Sequence, residues 1–220
     1  MRINLMVKVG INGFGRIGRL ILRALLENYK GKIQVVGIND LGSIETNAHL
    51  IKYDSTHGIL NHEVKTTGDG FQIGDQNIKV FAEKDPAKLP WGKVGADVVL
   101  ECTGFFLDKD SAGKHIQAGA KKVIISAPAK EVDFTLVQGV NSKELKKDHS
   151  IISNGSCTTN CLAPVAMVLE KTFGITYGYM TTIHSYTGDQ KLLDTLHKDL
   201  RRARATEGSM IPTSTGAAKA

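Results

Sequence analysis

The chain has 220 residues, 41% hydrophobic and 23% charged, with a formal net charge of +6. That composition belongs to a globular chain of one or two domains and excludes a disordered or fibrous one. No apolar run approaches the roughly 20 residues of a membrane span, and Cys102, Cys157 and Cys161 are too few for a disulfide scaffold, so a reducing cytoplasmic setting is expected.

Residues 1–4 lead straight toward the first strand and do not read as a secretory signal. Residues 7–22 read VKVGINGFGRIGRLIL, with Gly13, Gly15 and Gly18 in G-x-G-x-x-G spacing. A β-branched stretch precedes these glycines and an apolar periodic run follows, which predicts strand, tight turn and helix. The first glycine permits the turn, the second lets a pyrophosphate approach the backbone, and the third lets helix and strand pack closely. The phosphates would sit on free N–H groups at the positive end of the helix. A second apolar strand, 33–38, ends at Asn39-Asp40. Asp40 lies 22 residues past Gly18, where the fingerprint places a carboxylate for the ribose hydroxyls.

Further along, 43–53 reads as a helix with Ser43 as N-cap. Residues 62–67 and 71–73 read as hairpin strands across Gly68-Asp69-Gly70, and 78–81 as the next strand. Buried-type strands follow at 97–101 and 122–126, joined by a helix over 108–118, with shorter strands at 134–138 and 151–153. This alternation predicts an α/β fold, a Rossmann-type doubly wound and mostly parallel sheet spanning residues 1–154.

Residues 153–161, SNGSCTTNC, put Cys157 at or near the start of a helix running through Leu162, Val165, Val168 and Leu169. Helix N–H groups there favour a thiolate and stabilise an oxyanion. Cys161, one turn deeper, reads as a small core residue, and Cys102 as a buried packing residue at a strand end. C-x-x-x-C is no metal signature and no histidine pair accompanies it, so no metal is expected. Of seven histidines, His184 ends the strand-like run 179–183 beside a polar loop and is a candidate base. His49, His57, His62, His115, His149 and His197 sit among surface-type residues and read as solvated. The densest basic cluster, 198–204, has no interleaved aromatic residue, which argues against nucleic acid as a partner.

VGINGFGRIGR, ECTG at 101–104, SNGSCTTNCLAP at 153–164, HSYTGDQ at 184–190, HKDLRRAR at 197–204 and PTSTGAAKA at 212–220 together resemble the glyceraldehyde-3-phosphate dehydrogenase family. The resemblance runs in order through the whole chain. It implies a phosphorylating, NAD-dependent aldehyde dehydrogenase of glycolysis and gluconeogenesis, normally a cytoplasmic homotetramer. Residues 155–220 would be the first part of an α+β catalytic domain, whose remainder, in the family, continues well beyond Ala220. Ending at Ala220, the chain is expected to be poorly soluble and to lack dehydrogenase activity.

By the same resemblance, Cys157 would be the nucleophile and His184 its base. Thr187 and Arg202 would hold substrate phosphate or inorganic phosphate, with Ser156, Thr158, Thr215 and Gly216 completing the anion sites. Gly13, Gly15, Arg16, Ile17 and Asp40 would hold the adenosine and pyrophosphate part of NAD, with Lys84 and Ser126 further along. Asp40 would repel a 2′-phosphate, which favours NAD over NADP. The thiolate would add to the aldehyde, oxidation would leave a thioester, and phosphate would release it as an acyl phosphate. The alternatives are a sister dehydrogenase of erythrose 4-phosphate, and a non-catalytic NAD- or RNA-binding fragment.

Overall fold

A computed structural model describes residues 6–208, 210–213 and 215. Its contacts divide into two compact units, the first ending at Ser156 and the second beginning at Cys157.

In the first unit, β1 (Val7–Asn12), α1 (Arg16–Asn28), β2 (Ile33–Asn39) and α2 (Ile44–Lys52) come first, followed by the two-residue strands β3 (Tyr53–Asp54) and β4 (Gly58–Ile59). Then come β5 (Val64–Thr67), β6 (Gly70–Ile73), β7 (Gln76–Phe81), α3 (Trp91–Val94), β8 (Val98–Glu101), α4 (Lys109–Gln117), β9 (Lys122–Ile125), β10 (Phe134–Thr135) and β11 (Ile151–Ser153). One sheet runs in the order β10-β11-β9-β8-β1-β2-β7-β6-β5, and β3 pairs only with β4. Neighbours are parallel from β10 to β7, and the β5–β6–β7 edge is antiparallel. Strand order reverses at β1, with β2 on one side and β8 on the other, which makes the carboxyl end of β1 a topological switch point.

The sheet is covered on both faces, as parallel sheets must be. Leu22, Leu25 and Leu26 of α1 and Ala48 and Ile51 of α2 pack on Val9, Ile11, Val35 and Ile38. Trp91 packs with Leu89, Ala96, Val99 and Ala120, and Ala112 of α4 packs with Val123, Ile125 and Ile151. Each fully buried aliphatic side chain contributes about 1.5–3 kcal/mol. Val35 and Ile38 are three apart yet share a face. The pairing steps from Val9↔Val35 to Gly10↔Gly37, so Val36 is an extra residue that bulges out and resets the alternation.

Helix starts follow their caps. Ser43 Oγ accepts from Thr46 N–H at 3.1 Å, and Asp108 Oδ1 accepts from Ser111 N–H at 2.8 Å. The strand expected over 134–138 is only two residues long. Asn141 accounts for its end, because its side chain accepts from Val137 N–H at 2.8 Å and donates to Thr135 C=O at 2.9 Å, replacing the ladder. The short helix α3 and the β3–β4 ladder have no counterpart among the predicted elements.

The second unit opens with α5 (Cys157–Phe173), after which Gly174 N–H closes the last turn on Glu170 C=O at 3.0 Å. The strand predicted over 179–183 does not form: residues 175–186 have no regular structure, and Tyr179 and Ile183 are 98% and 90% exposed. β-branched propensity makes a strand only where a neighbour takes its backbone groups, and no described strand pairs with this segment. Cys161 is also exposed rather than buried in a core, as are Val165, Val168 and Phe173 on the same helix. No described helix is long and apolar enough to cross a membrane.

Candidate functional site

The first unit holds a cleft of about 480 Å³ over the carboxyl ends of β1, β2, β7 and β8. Gly13 and Gly15 form its base, and Asp40 and Lys84 stand on the β2–β7 side. Arg16, Ile17 and Ser126 are not among its lining residues. Arg16 and Ile17 are exposed in the first turn of α1, where Arg16 Nη1 pairs with Asp54 at 2.9 Å. Ser126 follows β9, and its side chain hydrogen-bonds the Cys102 thiol.

Steric constraints explain two of the three glycines. Gly13 has φ +90°, and a Cβ there would lie 2.7 Å from Thr103 N. A Cβ on Gly18 would lie 2.2 Å from Gly13 O, so helix and turn approach too closely for any side chain. Gly15 differs: it caps α1, and nothing lies within 4 Å of a Cβ built on it. The space beside the first N–H groups of α1 is therefore open, and no acidic residue stands in its first turn. These features suit a phosphate group and the dinucleotide around it.

Asp40 is held before any ligand arrives. Its Oδ2 accepts from Phe14 N–H at 2.8 Å, and its Oδ1 accepts from Gly42 N–H at 2.9 Å and Asn47 Nδ2 at 3.3 Å. A carboxylate has about four acceptor sites, which leaves capacity for a ribose hydroxyl. Asn12, Asn39, Glu83 and Thr103 also line the cleft and were not singled out from sequence. Each lies at or just beyond a strand end, and the rule that ligands meet the carboxyl ends at a switch point would have selected them.

His115 corrects the sequence reading. It is wholly buried rather than solvated, between Trp91 and Glu101. Cys102, expected to be buried, is half-buried and lines the cleft, and the burial it does have pushes its thiol pKa up to about 12.

In the second unit, Cys157 is the first residue of α5, and its Sγ lies 3.0 Å from His184 Nε2. His184 Nδ1 donates to Ser185 C=O at 2.6 Å, which leaves Nε2 to exchange a proton with the thiol. Partial burial works against a thiolate here. The hydrogen bond and charge of His184 outweigh it, helped by the Thr158 backbone and side chain, and the thiol pKa is lowered. His184 is raised in turn, by its bond to Ser185 and then by Cys157. Both shifts favour the thiolate facing a protonated imidazole, the direction that activates a cysteine nucleophile.

A cavity of about 660 Å³ is lined by His184, Thr182, Tyr186, Arg201, Thr213 and Thr215, among others. Arg202 is not among its lining residues, but its Nε donates to the lining Thr213 Oγ1 at 2.7 Å, while Nη1 pairs with Asp189. Asp189 also meets His197 Nε2 at 3.2 Å, and these two partners hold its carboxyl below the usual range. Thr187 N–H is taken by the Gln190 side chain. Ser156 directly precedes the nucleophile in sequence, and Gly216 lies outside the described residues.

Two family models match the chain. The glyceraldehyde 3-phosphate dehydrogenase NAD binding domain covers residues 7–109, and the C-terminal domain of the same family covers residues 156–220. The chain belongs to the glyceraldehyde-3-phosphate dehydrogenase family. It is 59% identical to glyceraldehyde-3-phosphate dehydrogenase of Xanthobacter flavus over 214 residues and 59% identical to that of Geobacillus stearothermophilus over 215. It is 58% identical to glyceraldehyde-3-phosphate dehydrogenase 1 of Bacillus subtilis (strain 168) over 215 residues. Each alignment takes in 97% of this chain and 64% of the relative, so the chain spans just under two thirds of the length of these relatives.

Proposed function

We propose that the protein is an NAD-dependent, phosphorylating aldehyde dehydrogenase that converts glyceraldehyde 3-phosphate and inorganic phosphate to 1,3-bisphosphoglycerate, a step of glycolysis and gluconeogenesis. The observation that carries this reading is the 3.0 Å contact of Cys157 with His184 at the start of α5, in a chain of this family. The Cys157 thiolate adds to the aldehyde carbon, and the carbonyl oxygen takes up a proton to give a hemithioacetal. His184 Nε2 then takes that hydroxyl proton as the carbon is oxidised to a thioester. Gly13, Gly15 and Asp40 would hold NAD, which would supply the two-electron acceptor. Phosphate attacks the thioester, and the thiolate leaves with the electron pair of the broken C–S bond. Arg202, Thr215 and Thr187, with Ser156 and Thr158 beside the nucleophile, supply cationic and hydroxyl groups for the phosphates.

At the length of its relatives, the protein is expected to form NADH from glyceraldehyde 3-phosphate only when phosphate is present. Cys157→Ser should lower the rate by about three orders of magnitude. Undiminished turnover in that variant would overturn the reading, and faster turnover of erythrose 4-phosphate would reassign the substrate. A cytoplasmic homotetramer is part of the same proposal. The exposed apolar side chains of Tyr179, Ile183 and Leu196 are surface that assembly would cover, and sedimentation analysis tests it.

Asp40 should set the choice of cofactor. Asp40→Ser is expected to weaken NAD by about tenfold, through lost bonds to the ribose, and to narrow the preference over NADP by removing the repelling charge. The ratio of dissociation constants for the two dinucleotides checks this. An unchanged ratio would show that Asp40 is not the discriminator.

A further inference from the structure

One residue of the glycine turn is gripped at both of its backbone groups. Phe14, between Gly13 and Gly15, buries its ring in the core at 1% exposure. Its N–H donates to Asp40 Oδ2 at 2.8 Å, and its C=O accepts from Arg19 Nη1 at 2.8 Å. Arg19 stands one turn into α1. Helical side chains lean toward the N-terminus, so a long one at this position reaches back over the first turn. The residue is half-buried, and among the described residues its Nε is buried without a hydrogen-bond partner. Burial lowers its pKa, with Asp54 and Asp40 opposing that effect, and the guanidinium stays a cation and a donor. Methionine would fill much of the same space and leave no buried donor unpaired. What the arginine adds is the bond to Phe14.

That bond has a consequence across the peptide. The C=O of Phe14 and the N–H of Gly15 belong to one planar trans unit and point in opposite directions. With the oxygen turned to Arg19, the Gly15 N–H points away from it. Gly15 lines the cleft and Arg19 does not. No described residue accepts from the N–H of Gly15, Arg16 or Ile17, the donors at the start of α1. A reversed Phe14–Gly15 peptide would put a carbonyl oxygen among these donors, where it would repel a phosphate. Local sterics do not forbid that reversal, because glycine adopts φ of either sign and nothing crowds position 15.

We propose that Arg19 is a positioning residue for the phosphate end of the cleft. It holds the Phe14 oxygen out of the site, so that the N–H groups of Gly15, Arg16 and Ile17 face the pyrophosphate of NAD. This rests on the reading of the cleft as an NAD site, and adds to it a side chain that lies outside the cleft. Without the bond, the Phe14–Gly15 peptide samples both orientations, and affinity falls in proportion to the fraction that remains competent.

Titration of the protein with NAD, with ADP and with adenosine, which lacks phosphate, isolates this effect. Arg19→Met is expected to weaken NAD and ADP alike by about tenfold, and adenosine by less than about twofold. The tenfold ratio should persist at about 1 M salt, where the attraction of a cation for phosphate is screened but a turned peptide is unaffected. Arg19→Gln, two atoms too short to reach Phe14, should repeat the selective loss, and it decides the matter if Arg19→Met does not fold. Equal weakening of all three ligands would make Arg19 a general structural support. A loss that vanishes at high salt would make it a direct charge on the phosphates. Either result overturns the proposal, as does unchanged NAD affinity. An unmutated protein that binds ADP no more tightly than adenosine would instead overturn the phosphate reading beneath it.

Discussion

Iodoacetamide at neutral pH is expected to alkylate Cys157 roughly tenfold faster than Cys161, and Cys102 scarcely at all. Exposure alone does not predict this order, because Cys157 and Cys161 are both exposed and lie one helical turn apart. The difference is His184, whose hydrogen bond and charge lower the Cys157 pKa against the opposing effect of burial. An ordinary thiol near pKa 8.5 is only about 3% ionised at pH 7, so full ionisation gains at most about thirtyfold. The lower intrinsic nucleophilicity of a more acidic thiol returns part of that gain. The sign of the pH dependence follows. As pH rises, the Cys157 rate should climb through an inflection below the ordinary thiol value near 8.5, because its pKa is lowered while that of His184 is raised. His184→Asn should move the Cys157 inflection upward. Equal rates at the two cysteines, or an inflection indifferent to His184, would remove the nucleophile assignment.

Gly18→Ala should cost about 3 kcal/mol or more, lowering the melting midpoint by roughly 6–12 °C. The added Cβ would lie 2.2 Å from the carbonyl oxygen of Gly13, a backbone atom that cannot swing aside. A Cβ on Gly13 would itself meet Thr103 N, so the Gly13 turn has little room to give way and the strain would spread toward the end of β8. Gly15→Ala should behave in the opposite way. Gly15 has φ −67° and open space around it, so the fold should lose about 1 kcal/mol at most, the difference between glycine and alanine as an N-cap. Its methyl group would occupy the room a phosphate needs, and NAD should bind at least about tenfold more weakly. Calorimetric melting and NAD titration of both variants check the pair. A Gly18→Ala protein as stable as its parent would contradict the packing argument, and normal NAD binding by Gly15→Ala would move the phosphate elsewhere.

The first unit was largely legible because its signals are local. Alternation marks β1 and β2, Ser43 and Asp108 are caps beside the helices they start, and the glycine spacing encodes a turn within six residues. Cys157 was legible for the same reason, since a strand end, small polar residues and an apolar helix follow one another directly. What failed depends on distant partners. His115 sits among Lys114, Gln117 and Gly113, and nothing in that neighbourhood reveals that Trp91 and Glu101 bury it. The run 179–183 has strand composition, but a strand is a pairing and no described neighbour supplies one. Cys161 has the helical phase of a core residue, and the described residues put nothing over it.

The position of β1 has a consequence for how the protein is made. β1 takes β2 on one edge and β8 on the other, and Asn12 meets Glu101 across 89 residues of chain. At a ribosomal speed of 5–20 residues per second, the second edge of β1 stays bare for roughly 5–20 s after the first strand has emerged. Closing that loop then costs about 4 kcal/mol of chain entropy before any parallel hydrogen bond repays it. Asn12 and Thr103 both line the cleft, so no nascent chain shorter than this presents the whole of it. A ligand that stabilises the finished sheet can therefore give no help during the interval when its central strand is most open to mispairing.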